Sequence, residues 1–209
     1  MDEAESDAEQ LLTRAAQGDQ TALEQLFGLH RQRLRQMIAL RLDRQVQARL
    51  DPSDVLQETL AEAARRLADY ARLPPLPVYP WLRQLAWDRL VQLHRRHVRA
   101  GKRTVRREQA ELLLSEESAL ALADRLVSRG SSPSARLRRS EQRHRVQAIL
   151  GQLADADREV LVLRYLEHLS TQEMSAILGL TPAGVKTRQL RALQRLRDLF
   201  GDNVAEDMP

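Results

Sequence analysis

Thr187, Arg188 and Arg191 fall within five residues near the C-terminus, at spacings that place them side by side on one face of a helix, with Lys186 and Arg195 flanking them in the sequence. A guanidinium forks two donors onto a phosphate or a guanine edge, an ammonium offers phosphate a point charge, and a hydroxyl bonds to either. The chemistry available to this set is recognition of a polyanion, not bond making.

Two capped helices position that set. Ser170 is an N-cap with Glu173 three residues on, which makes a capping box. Gly179 supplies a left-handed turn residue, and Thr181-Pro182 gives a second N-cap with proline at the first helical position. Met174, Ile177, Leu178 and Val185 pack the helices together in this reading, leaving Thr187, Arg188 and Arg191 on the outer face. The pattern is a helix-turn-helix, whose second helix enters the major groove of DNA. An ordinary helical hairpin with a solvated basic face is the alternative.

Composition agrees with a nucleic-acid partner. The 209 residues are 43% hydrophobic but only 3% aromatic, and Leu, Ala, Arg, Gln and Glu dominate, so the fold class is all-α. A net charge of +4 conceals arginine clusters that push the isoelectric point to about 10.1. The chain has no cysteine, which excludes disulfides and thiolate chemistry and fits a reducing compartment. An acidic N-terminus unlike a signal peptide, and no apolar run near 20 residues, lead to the expectation of a cytoplasmic protein that does not enter a membrane. His30, His94, His97, His144 and His168 make no metal-ligand spacing and no glycine-rich phosphate loop occurs, so the reading is a non-enzyme without metal or cofactor.

Along the chain, an organised segment runs from about residue 8 to residue 97. Asp19 caps a helix bearing Ala22, Leu23, Leu26 and Phe27, and a further stretch holds Leu34, Met37, Ile38 and Leu42. Asp51-Pro52-Ser53-Asp54 starts another helix, ending near Tyr70, on which Asp54, Gln57 and Glu58 form a polar stripe opposite Val55. Four prolines in 73–80 make a stiff loop, and Trp81 begins the next helix, which runs out into Arg95, Arg96, Arg99, Lys102, Arg103, Arg106 and Arg107. The acidic, Ser-rich and Gly-containing stretch that follows reads as a linker. A helical register returns near Ser140, with Asp157 as cap of a helix bearing Val160, Leu161, Leu163 and Leu166. The boundaries are residues 1–106, a flexible linker 107–139, and a second small helical domain 140–209.

These residues carry a resemblance. Asp51-Pro-Ser-Asp54-Val-Leu-Gln57-Glu58, the Trp81-Leu82 to Arg96 helix, Leu153 to Tyr165, and Gly179 to Arg188 are together similar to bacterial RNA polymerase sigma factors of the extracytoplasmic-function (ECF) type. The resemblance implies a region 2-like domain that binds core RNA polymerase and melts the minus-ten element, and a region 4-like domain that reads the minus-thirty-five element. It implies that Asp51, Asp54, Gln57 and Glu58 meet the polymerase clamp coiled coil, and that Lys186, Thr187 and Arg188 face the groove with Arg191 and Arg195 nearer the DNA backbone. The polymerase flap, promoter DNA and an anti-sigma protein complete the implied partners.

The segment from Trp81 to Arg107 then reads as a strand-opening surface, with Arg83, Arg89, Arg95 and Arg96 tracking phosphate. Trp87 either stacks on an unpaired base or packs in the core, and core packing is favoured for Trp81. Relatives usually have Arg-Asn where this chain has Trp87-Asp88; Asp88 repels phosphate but accepts from cytosine N4. Relatives also have an apolar residue at the place of Gln189, for which Leu190 substitutes if the helix rotates slightly. Two other classes are consistent with these residues: a stand-alone helix-turn-helix regulator, and a helical adaptor that binds only protein.

Overall fold

The computed structural model describes residues 2–42, 51–98, 116–127 and 145–206, and those residues are helices and their connections. The chain divides into two compact units, Met1–Glu108 and Gln109–Pro209.

The first unit contains α1 (Asp2–Ala16), α2 (Gln20–Arg41), α3 (Pro52–Arg72) and α4 (Val78–Val98). Gly18 turns the chain from α1 to α2 at φ +96°, and Asp19 caps α2 by accepting from the Ala22 amide at 3.0 Å. Arg14 also binds the Asp19 carboxylate, through Nε at 3.0 Å and a terminal nitrogen at 2.6 Å. Asp51 caps α3 by accepting from the Ser53 amide at 2.7 Å, ahead of Pro52. Helices α2, α3 and α4 pack on one another, and their buried side chains include Leu26, Leu34, Met37 and Ile38 of α2, Val55, Leu56, Ala63 and Leu67 of α3, and Leu82, Ala86 and Leu90 of α4. Tyr70 and Trp81 stack at 4.0 Å, and the Tyr70 hydroxyl donates to the Leu76 carbonyl at 2.8 Å, fastening the proline loop to the core. Burial raises the Tyr70 phenol to about 12.

Helix α4 starts at Val78, three residues before the expected Trp81. Pro80 lies in its first turn, where a missing N–H leaves no hydrogen bond unmade, so the proline does not delay the helix.

The second unit contains α5 (Glu116–Val127), α6 (described over 145–152), α7 (Asp155–Tyr165), α8 (Thr171–Leu178) and α9 (Pro182–Glu206). Helix α5 falls inside the expected linker and within the second unit. Ser118, Leu122 and Ala123, at helical spacing, are buried, a stripe that the surrounding acidic residues hid in the sequence. Arg125 of α5 donates to the Tyr165 carbonyl at 2.9 Å and to Nε2 of His168. His168 stands in the left-handed region at φ +55°, uncommon for a side chain with Cβ. Burial first, then Arg125 and Arg164, hold its imidazole below the ordinary value, which favours the neutral ring that accepts from Arg125. The remaining linker residues, 107–115 and 128–139, lie outside the described residues, as do Arg99, Lys102, Arg103, Arg106 and Arg107.

Asp157 does not cap α7. The N-cap is Ala154, without a side-chain cap bond, and Asp157 sits in the first turn, buried and paired with Arg195. Arg158, one residue on, closes the end of α6 instead, donating to the carbonyls of Leu150 at 2.8 Å and Leu153 at 3.0 Å.

Candidate nucleic-acid interface

The helix-turn-helix forms as its local chemistry dictates. Ser170 and Glu173 exchange both capping-box bonds: the Glu173 amide donates to Ser170 Oγ at 3.2 Å, and the Ser170 amide donates to a Glu173 carboxylate oxygen at 2.8 Å. Gly179 ends α8 in the left-handed region at φ +63°. Thr181 Oγ1 accepts from the Gly184 amide at 3.1 Å and so starts α9. Met174 and Val185 are fully buried where the helices meet, whereas Ile177 and Leu178 are half-buried.

Register along α9 follows from which residues are covered. Val185 and Ala192 are buried, and Gln189 between them is half-buried, its amide donating to the Tyr165 hydroxyl at 3.4 Å. Gln189 therefore keeps the inward position, and Leu190, 58% exposed, does not substitute for it by rotation of the helix. A tyrosine hydroxyl facing position 189 makes an amide acceptable where an aliphatic side chain was expected. Lys186, Thr187 and Arg191 are exposed and Arg188 is half-buried, so these four lie on or beside the outer face. Arg195 is exposed too, but its guanidinium is held by Asp157.

Helix α4 presents a different surface. Trp81 is core. Trp87 is half-buried, with the guanidinium carbons of Arg41 and Arg83 at 5.2 Å and 5.9 Å from its ring centre, both within cation–π range. Arg83 is only 5% exposed, so burial removes it from the expected phosphate-tracking set. Its i, i+4 spacing to Trp87 was the available signal for that contact. Asp88 is exposed, and partial shielding by the protein raises its carboxyl above the ordinary value against the opposing pull of Arg66. Arg95 and Arg96 belong to α4, but their side chains lie outside the described residues.

On α3, Asp51, Asp54, Gln57 and Glu58 are exposed. The Ser53 amide, then the Ser53 hydroxyl, hold the Asp51 carboxyl below its usual range. Glu58 bonds to Arg89 of α4, a pairing across two helices that no spacing in the sequence announces.

With this geometry in place, likeness to known proteins is informative. Residues 143–196 match the family described as Sigma-70, region 4, a span that holds α8 and α9 as far as residue 196. The chain is 31% identical over 193 residues to the RNA polymerase sigma factor CarQ of Myxococcus xanthus, covering 91% of this chain and 96% of CarQ. This chain belongs to the RNA polymerase sigma factors. It is of the ECF type, as is SigM of Bacillus subtilis, 28% identical over 154 residues that cover 74% of this chain and 82% of SigM. The solved structure of CnrH in complex with the cytosolic domain of CnrY is similar in fold. Its TM-score is 0.53 at 24% identity, over 94% of this chain and 98% of that one. Among the described residues no three His, Asp or Glu gather as a metal site, and no helix is long and apolar enough to cross a membrane.

Proposed function

We propose that this sigma factor binds core RNA polymerase and confers promoter selection, with the second unit reading the minus-thirty-five element and the first melting the minus-ten element. The observation that supports it most is the division of α9 into a covered face, Val185, Gln189 and Ala192, and an outer set of Lys186, Thr187, Arg188 and Arg191. That is the arrangement a recognition helix needs in the major groove. Arg195 acts nearer the DNA backbone, attenuated by Asp157.

In this reading residues 1–106 and 140–209 are the two functional domains and 107–139 connects them. Asp51, Asp54, Gln57 and Glu58 offer negative charge to the polymerase clamp, and the flap meets the second domain. Complementary charge there sets orientation and association rate. Trp87, Asp88, Arg95 and Arg96 face the separated strands. The chain is not an enzyme; phosphodiester synthesis belongs to the polymerase. CnrH has been solved with the cytosolic domain of CnrY, and an anti-sigma protein is by that likeness a further partner of this chain.

Run-off transcription from a genomic fragment library with core polymerase, with and without this protein, tests the reading. Initiation at discrete promoters only when both are present is expected. Strong footprinting by the protein alone, with no recovery of polymerase, would replace it with a stand-alone regulator.

A further inference from the structure

The seam between α3 and α4 carries charges of both signs. Arg89 of α4 is mostly buried, its side chain 25% exposed, and its Nε is covered without a hydrogen bond among the described residues. Its outer nitrogen reaches Glu58, whose side chain is 53% exposed. One position earlier, Asp88 feels Arg66 of α3, and Arg66 shares Glu62 with Arg65. Arg89 also stands seven residues before Arg96, two helical turns along α4.

Glu58 thus belongs to two sets at once. It is part of the exposed acidic stripe of α3 with Asp54 and Gln57, and it is the counter-ion of a cation on the helix assigned to the separated DNA strands. A carboxylate engaged by one guanidinium is a poorer partner for a second cation, and a neutralised guanidinium is a poorer partner for phosphate. A half-exposed pair of this kind is weak enough to exchange.

We propose that the Glu58–Arg89 pair is an internal competitor that couples the two macromolecular contacts: in the free chain it neutralises Arg89, and capture of Glu58 by a cation of the polymerase releases Arg89 to the DNA backbone. The inference rests on the functional reading above. On this proposal the free chain holds single-stranded DNA less tightly than its count of basic side chains implies, for a reason that resides in the first unit alone.

The test uses the full chain without polymerase and a fluorescent single-stranded oligonucleotide of about 20 nucleotides, a length above the site size of common single-strand binders. Glu58→Gln keeps the shape and removes the charge. It is expected to bind about threefold tighter than wild type, with a salt dependence steeper by about 0.7 in log–log slope, the release of roughly one ion. Glu24→Gln removes an exposed carboxylate of α2 and controls for net charge; it is expected to show no steepening. In Glu58→Gln/Arg89→Gln the gain disappears. An unchanged Glu58→Gln, an equal gain in Glu24→Gln, or a gain that survives the double substitution each overturns the coupling. Thermal melts of every variant establish that the chains compared are folded. Wild-type initiation with core polymerase is measured alongside: its failure removes the functional reading, whereas the oligonucleotide result bears on the pair alone.

Discussion

Arg195, midway along α9, pairs with Asp157 in the first turn of α7, 38 residues earlier. The carboxylate side is covered, 10% exposed, while the arginine is 61% exposed, so the pair ties α9 to α7 and leaves one flank of the cation in solvent. Arg195→Ala strands a covered carboxylate. It is expected to cost about 1 kcal/mol after allowance for the exposed partner, lowering the unfolding midpoint by roughly 4–8 °C if the second unit melts by itself. The salt dependence of duplex binding should change little in that variant, because the lost charge was already compensated. Thermal melts and binding isotherms at several salt concentrations check both parts.

The outer face of α9 behaves differently. Arg191→Ala is expected to weaken all duplex sequences about equally and to reduce the salt slope by about 0.9, the mark of one lost phosphate contact. Arg188→Ala is expected instead to lose roughly 1–3 kcal/mol of discrimination at one base pair. Selection from a randomised minus-thirty-five library, with polymerase present, separates the two outcomes.

Asp54 and Glu58, though neighbours on one stripe, are not equivalent. Asp54→Lys reverses an exposed charge and is expected to reduce recovery of core polymerase at least about tenfold while leaving the melting curve unchanged. Glu58→Lys also places a cation against Arg89, so it is expected to lower the midpoint as well. Co-purification and melts of the two single variants distinguish them; undiminished recovery with Asp54→Lys would move the polymerase surface elsewhere.

Capping fixes a pH dependence whose sign is definite. The Ala22 amide, then Arg14, hold the folded Asp19 carboxyl below its ordinary 3.8. A depressed carboxyl contributes stability that is present above the ordinary value and is lost as pH falls through the folded one. Asp19→Ala should therefore melt below wild type near pH 6, and the gap should close as the medium is acidified below about pH 4. A gap that stays constant down to pH 2 would assign the deficit to something other than the ionised cap.

Much of this was legible because it is local. Ser170 with Glu173, Gly179, and Asp51 with Pro52 announce helix ends within four residues of sequence, and each forms as its chemistry requires. What stayed hidden is long-range or masked by composition. Glu58 with Arg89 and Asp157 with Arg195 are 31 and 38 positions apart in the sequence, so no periodicity joins them. Helix α5 was obscured by its acidic neighbours, and Gln189 became intelligible only once the Tyr165 hydroxyl was seen opposite it.

Arg158 shows that formal charge is a poor measure of what a polyanion meets. Its side chain, 17% exposed, spends its donors on the backbone oxygens of Leu150, Gly151 and Leu153. Arg164 likewise bonds the Leu169 carbonyl at 3.0 Å. A dicarbonyl reagent that condenses with accessible guanidines should accordingly find two kinetic populations in the folded chain, with Arg158 in the slow one and Arg191 in the fast. Lysine at 158 would preserve every count of charge and still lose the planar fork that closes the end of α6.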